Sequence, residues 1–192
     1  VDDAYFDVAQ VDPVALPRPV EGPYVVVVGG LKYKKGGDYV LAAAEELQRR
    51  RSELTICVAG TNDAAYESRH SRLSNVLTLG YVSDEQLPLL VRGASSSLFL
   101  SHYEGFGIPA LEAMAAGVPA VVSDRAALPE VVGGAGIVLD PVNAVEIADV
   151  LEQLTSNTGD REVWVERGSI RARQFSWEAC SNRVLDAFNE YA

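Results

Sequence analysis

Two carboxylates, Glu104 and Glu112, flank a glycine-rich turn in the run Ser101-His102-Tyr103-Glu104-Gly105-Phe106-Gly107-Ile108-Pro109-Ala110-Leu111-Glu112. Glycine lets backbone approach a ligand closely and take positive φ. Amides left free where a helix begins bind anions, through unpaired N–H groups and the helix dipole. An anion gripped there, with an acid on either side to accept from hydroxyls, would suit a sugar joined through phosphate to a ribose. The plain alternative is a turn that Gly105 and Gly107 shape, with Glu112 favouring the start of the helix. A Gly-x-Gly alone is a frequent accidental match.

A second loop, Gly29-Gly30-Leu31-Lys32-Tyr33-Lys34-Lys35-Gly36-Gly37, offers three lysines among glycines. Cations there would stabilise a departing diphosphate, although a solvated basic turn has the same composition. Gly60-Thr61-Asn62 is a third candidate loop. His102, beside Glu104, could donate a proton or touch a sugar, but such a histidine more often packs or caps. His70 falls in a polar helix and is expected to be exposed. No Ser-His-Asp set, HExxH, CxxC or Walker A pattern occurs, so hydrolase, metalloprotease and P-loop readings lack support.

These loops need elements to hold them. Tyr24–Val28 is a continuous β-branched run, as a strand buried on both faces requires. Asp38–Arg51 reads as a helix, with Val40, Ala43, Ala44 and Leu47 at helical spacing. Strands follow at Leu54–Ala59 and, after an irregular polar helix, at Val76–Leu79. Ser83 with Gln86 resembles a capping box opening a helix over Asp84–Arg92. Ser97–Leu100 is a further strand. Pro109 fits the first turn of a helix that ends at Gly117 and carries Glu112 in that same turn. Ala120–Val122 and Gly136–Leu139 complete the strands. Asn143 can cap a helix reaching about Thr155, and two helical stretches, Asp160–Gln174 and Ser176–Tyr191, close the chain. The alternation implies an α/β, Rossmann-like parallel sheet with helices on both faces. In such sheets ligands bind beyond the carboxyl ends of the strands, where the strand order reverses. Loops 29–37, 60–63 and 101–112 lie at such ends.

The stretch Glu104 to Ala120, E-G-F-G-I-P-A-L-E-A-M-A-A-G-V-P-A, resembles the motif of retaining glycosyltransferases of family 4, the glycosyl transferases group 1. The likeness continues through Val121-Val122-Ser123-Asp124, Leu128-Pro129-Glu130-Val131-Val132 and Gly133-Gly134-Ala135-Gly136 to Ser176-Trp177, and covers roughly residues 24–190. It implies the carboxyl-terminal half of a GT-B fold and transfer of a hexose from a nucleoside-diphosphate sugar, a GDP-, UDP- or ADP-sugar, with retention. By the resemblance, Glu104 contacts donor-sugar hydroxyls and Gly105, Phe106 and Gly107 offer amides to sugar and diphosphate. Glu112 accepts from the ribose, with Ile108, Pro109 and Leu111 as a wall. Gly29, Gly30, Lys34 and Lys35 fall in the family's donor-phosphate loop, Gly60 near the nucleotide, and Tyr81-Val82-Ser83 at a turn whose backbone reads the base. Glu104 and Lys35 are the implied catalytic pair. No protein nucleophile, metal or cofactor is implied. Lys34 replaces the family's arginine, keeping charge but losing the planar fork.

The resemblance also places the acceptor on a separate N-terminal domain absent from this chain. Residues 1–23, with Pro13, Pro17, Pro19 and Pro23 and no periodicity, read as an interdomain arm leading into a nucleotide-sugar domain at 24–192. Alone, this domain is expected to bind donor and transfer little sugar. Other readings of the same chemistry are a non-catalytic nucleotide-sugar module, a GT-B-fold epimerase and a purely structural interaction domain.

Bulk properties bound the partners. The chain has 192 residues, is 48% hydrophobic and carries a formal net charge of −11. That length suffices for one domain with a substantial core. The acidity disfavours nucleic acid and anionic lipid as partners of the general surface. Any phosphate therefore needs a local cradle. Cys57 in an apolar run reads as a small core residue. With Cys180 far away, no disulfide framework appears, which suggests a reducing compartment. No apolar run spans a membrane and no leader is visible. The expected location is cytoplasmic, with membrane association only through the missing domain.

Overall fold

The computed structural model describes residues 1–6 and 20–190. Six strands form one parallel sheet in the order β3-β2-β1-β4-β5-β6. They are β1 (Tyr24–Val28), β2 (Thr55–Ala59), β3 (Val76–Gly80), β4 (Ser96–Phe99), β5 (Ala120–Ser123) and β6 (Ile137–Leu139). The helices are α1 (Gly37–Arg49), α2 (Ala64–His70), α3 (Leu87–Arg92), α4 (Ile108–Ala115), α5 (Leu128–Val132), α6 (Ala144–Ser156), α7 (Thr158–Ala172) and α8 (Trp177–Glu190).

Alternate residues of each strand feed two separate cores, because successive side chains of a strand point to opposite faces. Val26 and Cys57 face a core with Leu111, Met114 and Leu128, whereas Val25, Ile56 and Leu98 face one with Leu41, Leu47 and Ile147. Burial on both faces explains why these strands read as unbroken apolar runs rather than alternating ones. Burial also pushes the Cys57 thiol up to about 12. Arg50, just beyond α1, crosses to Asp149 (2.6 Å) and Glu152 (2.9 Å) of α6, tying together the helices of one face.

Several expected boundaries move for local reasons. Ser83 does take the Gln86 N–H, at 3.4 Å. The helix nevertheless begins only at Leu87, with Pro88 in its first turn, and residues 84–86 form a turn. Glu112 lies in the second turn of α4, not the first, because that helix starts at Ile108. Helix α5, five residues long, was too short to show a period. His70 is less exposed than a polar helix suggests: its ring, 14% exposed, pairs with Glu67 at 2.9 Å. Tyr191, the expected end of the last helix, lies outside the described residues, as does most of the proline-rich arm. The arm's first residues are built into the domain: Asp3–Tyr5 forms a single 3₁₀ turn, and the Tyr5 side chain is buried.

Candidate functional site

Strand order reverses between β1 and β4, and the loops that leave these neighbouring strands are 29–36 and 100–107. They are held together by close backbone approach. Gly36 has φ 70°, and a Cβ there would lie 1.9 Å from the Leu100 carbonyl oxygen. Only glycine fits such a place. The His102 N–H donates to the Lys34 carbonyl at 3.1 Å, a second tie.

Across this junction the Lys35 ammonium donates to Oε1 of Glu104. The buried Ser101 hydroxyl donates to the same oxygen at 3.1 Å. Ser101 is itself anchored, since its carbonyl accepts from the Ser123 hydroxyl at 2.8 Å. The Lys35 stem runs over Gly29, where a Cβ would meet it at 3.5 Å. Sequence reasoning assigned no role to Ser101 or Ser123. The available signal was a hydroxyl residue three positions before Glu104.

His102 is taken up by structure. Its ring stacks on Tyr33 at 4.6 Å between centroids and meets Tyr39 at the same separation. Its Nε2 lies 3.2 Å from Asp38 Oδ1 in the first turn of α1. The histidine thus joins the lysine loop to the Glu104 loop. Lys34 points elsewhere than Lys35: its ammonium sits 5.5 Å from the centre of the exposed Tyr103 ring, within cation–π range.

The glycine turn ends on Gly107, which caps α4 with φ 101°. Among the described residues, no backbone acceptor takes the N–H groups of Gly105, Phe106 or Gly107. They stand at the positive end of α4, where an anion is stabilised. Phe106 turns its ring away, edge-on to Phe175 at 5.8 Å. With Ile108 and Leu111 it lines an apolar cleft of about 500 Å³ running along Trp177 and Cys180 of α8. Lys35, Glu104 and Glu112 do not line this cleft, so its chemistry is not that of a phosphate cradle.

Gly29, Gly30 and Gly60 pack the loops against one another. Both Gly29 and Gly30 donate their N–H to the Ala59 carbonyl, at 2.8 and 2.9 Å. A Cβ on Gly60 would lie 2.7 Å from the Gly30 nitrogen. The Gly29 and Gly30 amides are therefore committed to the fold. Val82 is buried in the core and Tyr81 is exposed. Glu112 is half-buried, and burial raises its carboxyl above the ordinary value, with the Tyr5 hydroxyl opposing that rise. Lys35 and Glu104 meet directly; Glu112 stands apart on α4, joined to the turn by helix rather than by contact.

Comparison with known proteins yields one family. The family model described as glycosyl transferases group 1 matches residues 9–171. O-antigen chain mannosyltransferase B of Escherichia coli is 44% identical over 120 residues, 62% of this chain and 32% of that protein. An uncharacterised glycosyltransferase of Methanocaldococcus jannaschii is 33% identical over 175 residues, 85% of this chain and 44% of that one. The chain thus spans less than half the length of either. In three dimensions it resembles the C-terminal domain of a glycosyl transferase group 1 family protein from Francisella tularensis. That match has a TM-score of 0.74 and 22% identity, and covers 91% of this chain and 97% of the other. Sucrose-phosphate synthase from Thermosynechococcus elongatus gives a TM-score of 0.75 at 23% identity, covering 91% of this chain and 46% of the other.

Proposed function

The chain belongs to the glycosyl transferases group 1, and from that premise we propose that it is the donor-binding half of a retaining hexosyltransferase using a nucleoside-diphosphate sugar. The observation that carries this reading is the meeting of Lys35 and Glu104 at the strand-order reversal, beside the amides of 105–107.

The difficult step is departure of a diphosphate as positive charge grows on the sugar carbon. Groups fixed before reaction and aimed at the leaving oxygens lower that barrier, since they need no reorganisation at the moment of reaction. In this reading Lys35 exchanges Glu104 for the diphosphate, and the amides at the start of α4 bind it from the other side. Lys34 lies close enough in sequence to add charge once it leaves Tyr103. Glu104, released by Lys35 and still held by Ser101, accepts from sugar hydroxyls, and Glu112 accepts from the ribose. The cationic and dipolar groups take the place of a metal ion, and no protein nucleophile is assigned. The acceptor belongs to a further domain, so the isolated chain binds donor and transfers little sugar.

Calorimetric titration with UDP, GDP, ADP and TDP tests the binding half of the proposal. Tight heat is expected with at least one of them, and silence from all four sinks it. For the catalytic half, Glu104→Gln in the full-length protein should abolish turnover; unchanged turnover would remove Glu104 from the reaction.

A further inference from the structure

Tyr33 stands two residues before Lys35, and His102 two residues before Glu104. Their rings stack with centroids 4.6 Å apart and planes inclined by 21°. One aromatic contact thus joins the two loops just upstream of the groups that meet. His102 also packs on Tyr39 of α1. We propose that His102 is a positioning residue of the donor site, holding the Lys35 segment against the Glu104 loop so that the lysine and the amides of 105–107 grip one diphosphate.

This rests on the phosphate role given to Lys35 above and adds a residue to it. The lysine loop is anchored unevenly. Its first part is held from the β2 side: the Leu31 N–H donates to Asn62 Oδ1 at 2.8 Å, and the Tyr33 N–H to Asp63 Oδ2 at 3.3 Å. Further on, the Lys35 and Gly36 N–H groups turn back to the loop's own Lys32 and Tyr33 carbonyls, at 3.1 and 2.9 Å. Among the described residues, the backbone hydrogen bond between this segment and the Glu104 loop is the one from the His102 N–H to the Lys34 carbonyl. The ring continues that tie. Its Nε2 lies 3.2 Å from Asp38 Oδ1, and its Nδ1 lies 3.4 Å from the Tyr39 hydroxyl. A neutral ring with its proton on Nε2 meets both needs, donating to the carboxylate and accepting from the hydroxyl. With both nitrogens so engaged, the histidine orients its loop rather than exchanging a proton with a substrate. A cation fixed before its ligand arrives does not have to be ordered by it, and affinity gains accordingly.

The test is a double-mutant cycle read by calorimetric titration with UDP, GDP and ADP separately. It uses the unaltered chain, His102→Ala, Lys35→Met and the double variant, with thermal melts to establish that each is folded. His102→Ala removes both ring contacts and should weaken binding about tenfold. Because the loss acts through the placement of Lys35, it should shrink by more than about twofold in the Lys35→Met background, beyond the scatter of independent sites. Losses that agree within about twofold in the two backgrounds show a general structural role and overturn this inference alone. Rescue is a second readout. His102→Phe keeps the stack on Tyr33 and Tyr39 and leaves Asp38, whose side chain is 37% exposed, to water; it should recover most of the affinity. A His102→Phe variant as weak as His102→Ala also overturns the inference. Should His102→Ala not fold, His102→Gln removes the ring and takes its place in the same cycle, read by the same outcomes. Absence of binding by the unaltered chain to any of the three nucleotides overturns the inference together with the proposed function.

Discussion

Lys35 and Glu104 neutralise one another across two loops, and a bound diphosphate would have to part them. Their side chains are 30% and 15% exposed, so water screens the pair in part. Pairs of that kind contribute on the order of 1 kcal/mol or less, whereas each hydrogen bond from a charged donor to phosphate is worth about 1.5–3 kcal/mol. In the proposed reading the exchange of partners is therefore favourable, and the ion pair is a resting arrangement rather than a barrier. Lys35→Met keeps the stem over Gly29 and removes the charge. It should weaken nucleoside-diphosphate affinity by roughly tenfold to a hundredfold, read by calorimetry; unchanged affinity would mean that the phosphate lies elsewhere. Ser101→Ala removes the second donor to Glu104 Oε1 while leaving the backbone bond from Ser123 intact. In the full-length protein, if it acts as proposed, a loss of turnover of about tenfold is expected, with the fold retained by circular dichroism. A variant as active as its parent would show that Lys35 alone orients the acid.

Helices and strands place these residues, and the junction between β1 and β4 carries most of that task. Gly36→Ala puts a Cβ against the Leu100 carbonyl at a backbone angle that alanine resists. The expected cost is about 3 kcal/mol or more, lowering the melting temperature by roughly 10 °C for a domain of this size. A melt shifted by only a degree or two would mean that the loops can separate freely. The same junction shows what a sequence can and cannot disclose. Strand β1 was legible to the residue, because five consecutive Tyr and Val residues have no other stable place than a sheet covered on both sides. The run from Glu104 to Glu112 announced itself through its glycines and the acids around them. The ties that organise it did not: Asp38 to His102 spans 64 positions, and Lys35 to Glu104 spans 69. Such contacts follow from strand order, and no local period encodes strand order. The donation of the Gly29 and Gly30 amides to Ala59 was equally hidden, since the glycines at that strand end do not say where their N–H groups go.

At the scale of the whole molecule, the proposed function asks an acidic body to admit an acidic ligand. In the proposed reading the chain's net charge of −11 repels a nucleoside diphosphate at long range, while Lys35 and the start of α4 attract it at contact. The two effects respond differently to salt. Exposed charges further apart than a Debye length, about 10 Å at 0.1 M ionic strength, no longer interact appreciably. A contact between a half-buried lysine and phosphate lies well inside that distance and is screened far less. Added salt therefore removes the repulsion before it removes the grip. The association rate of this chain with its nucleotide should rise as ionic strength increases from about 10 mM to 100 mM, with little change in dissociation rate. Most charge-complementary partners show the reverse. Stopped-flow mixing with a fluorescent nucleoside diphosphate reads both rates directly. An association rate that falls monotonically with salt would show that the local basic loop, with Lys32, Lys34 and Lys35, governs the approach as well as the contact.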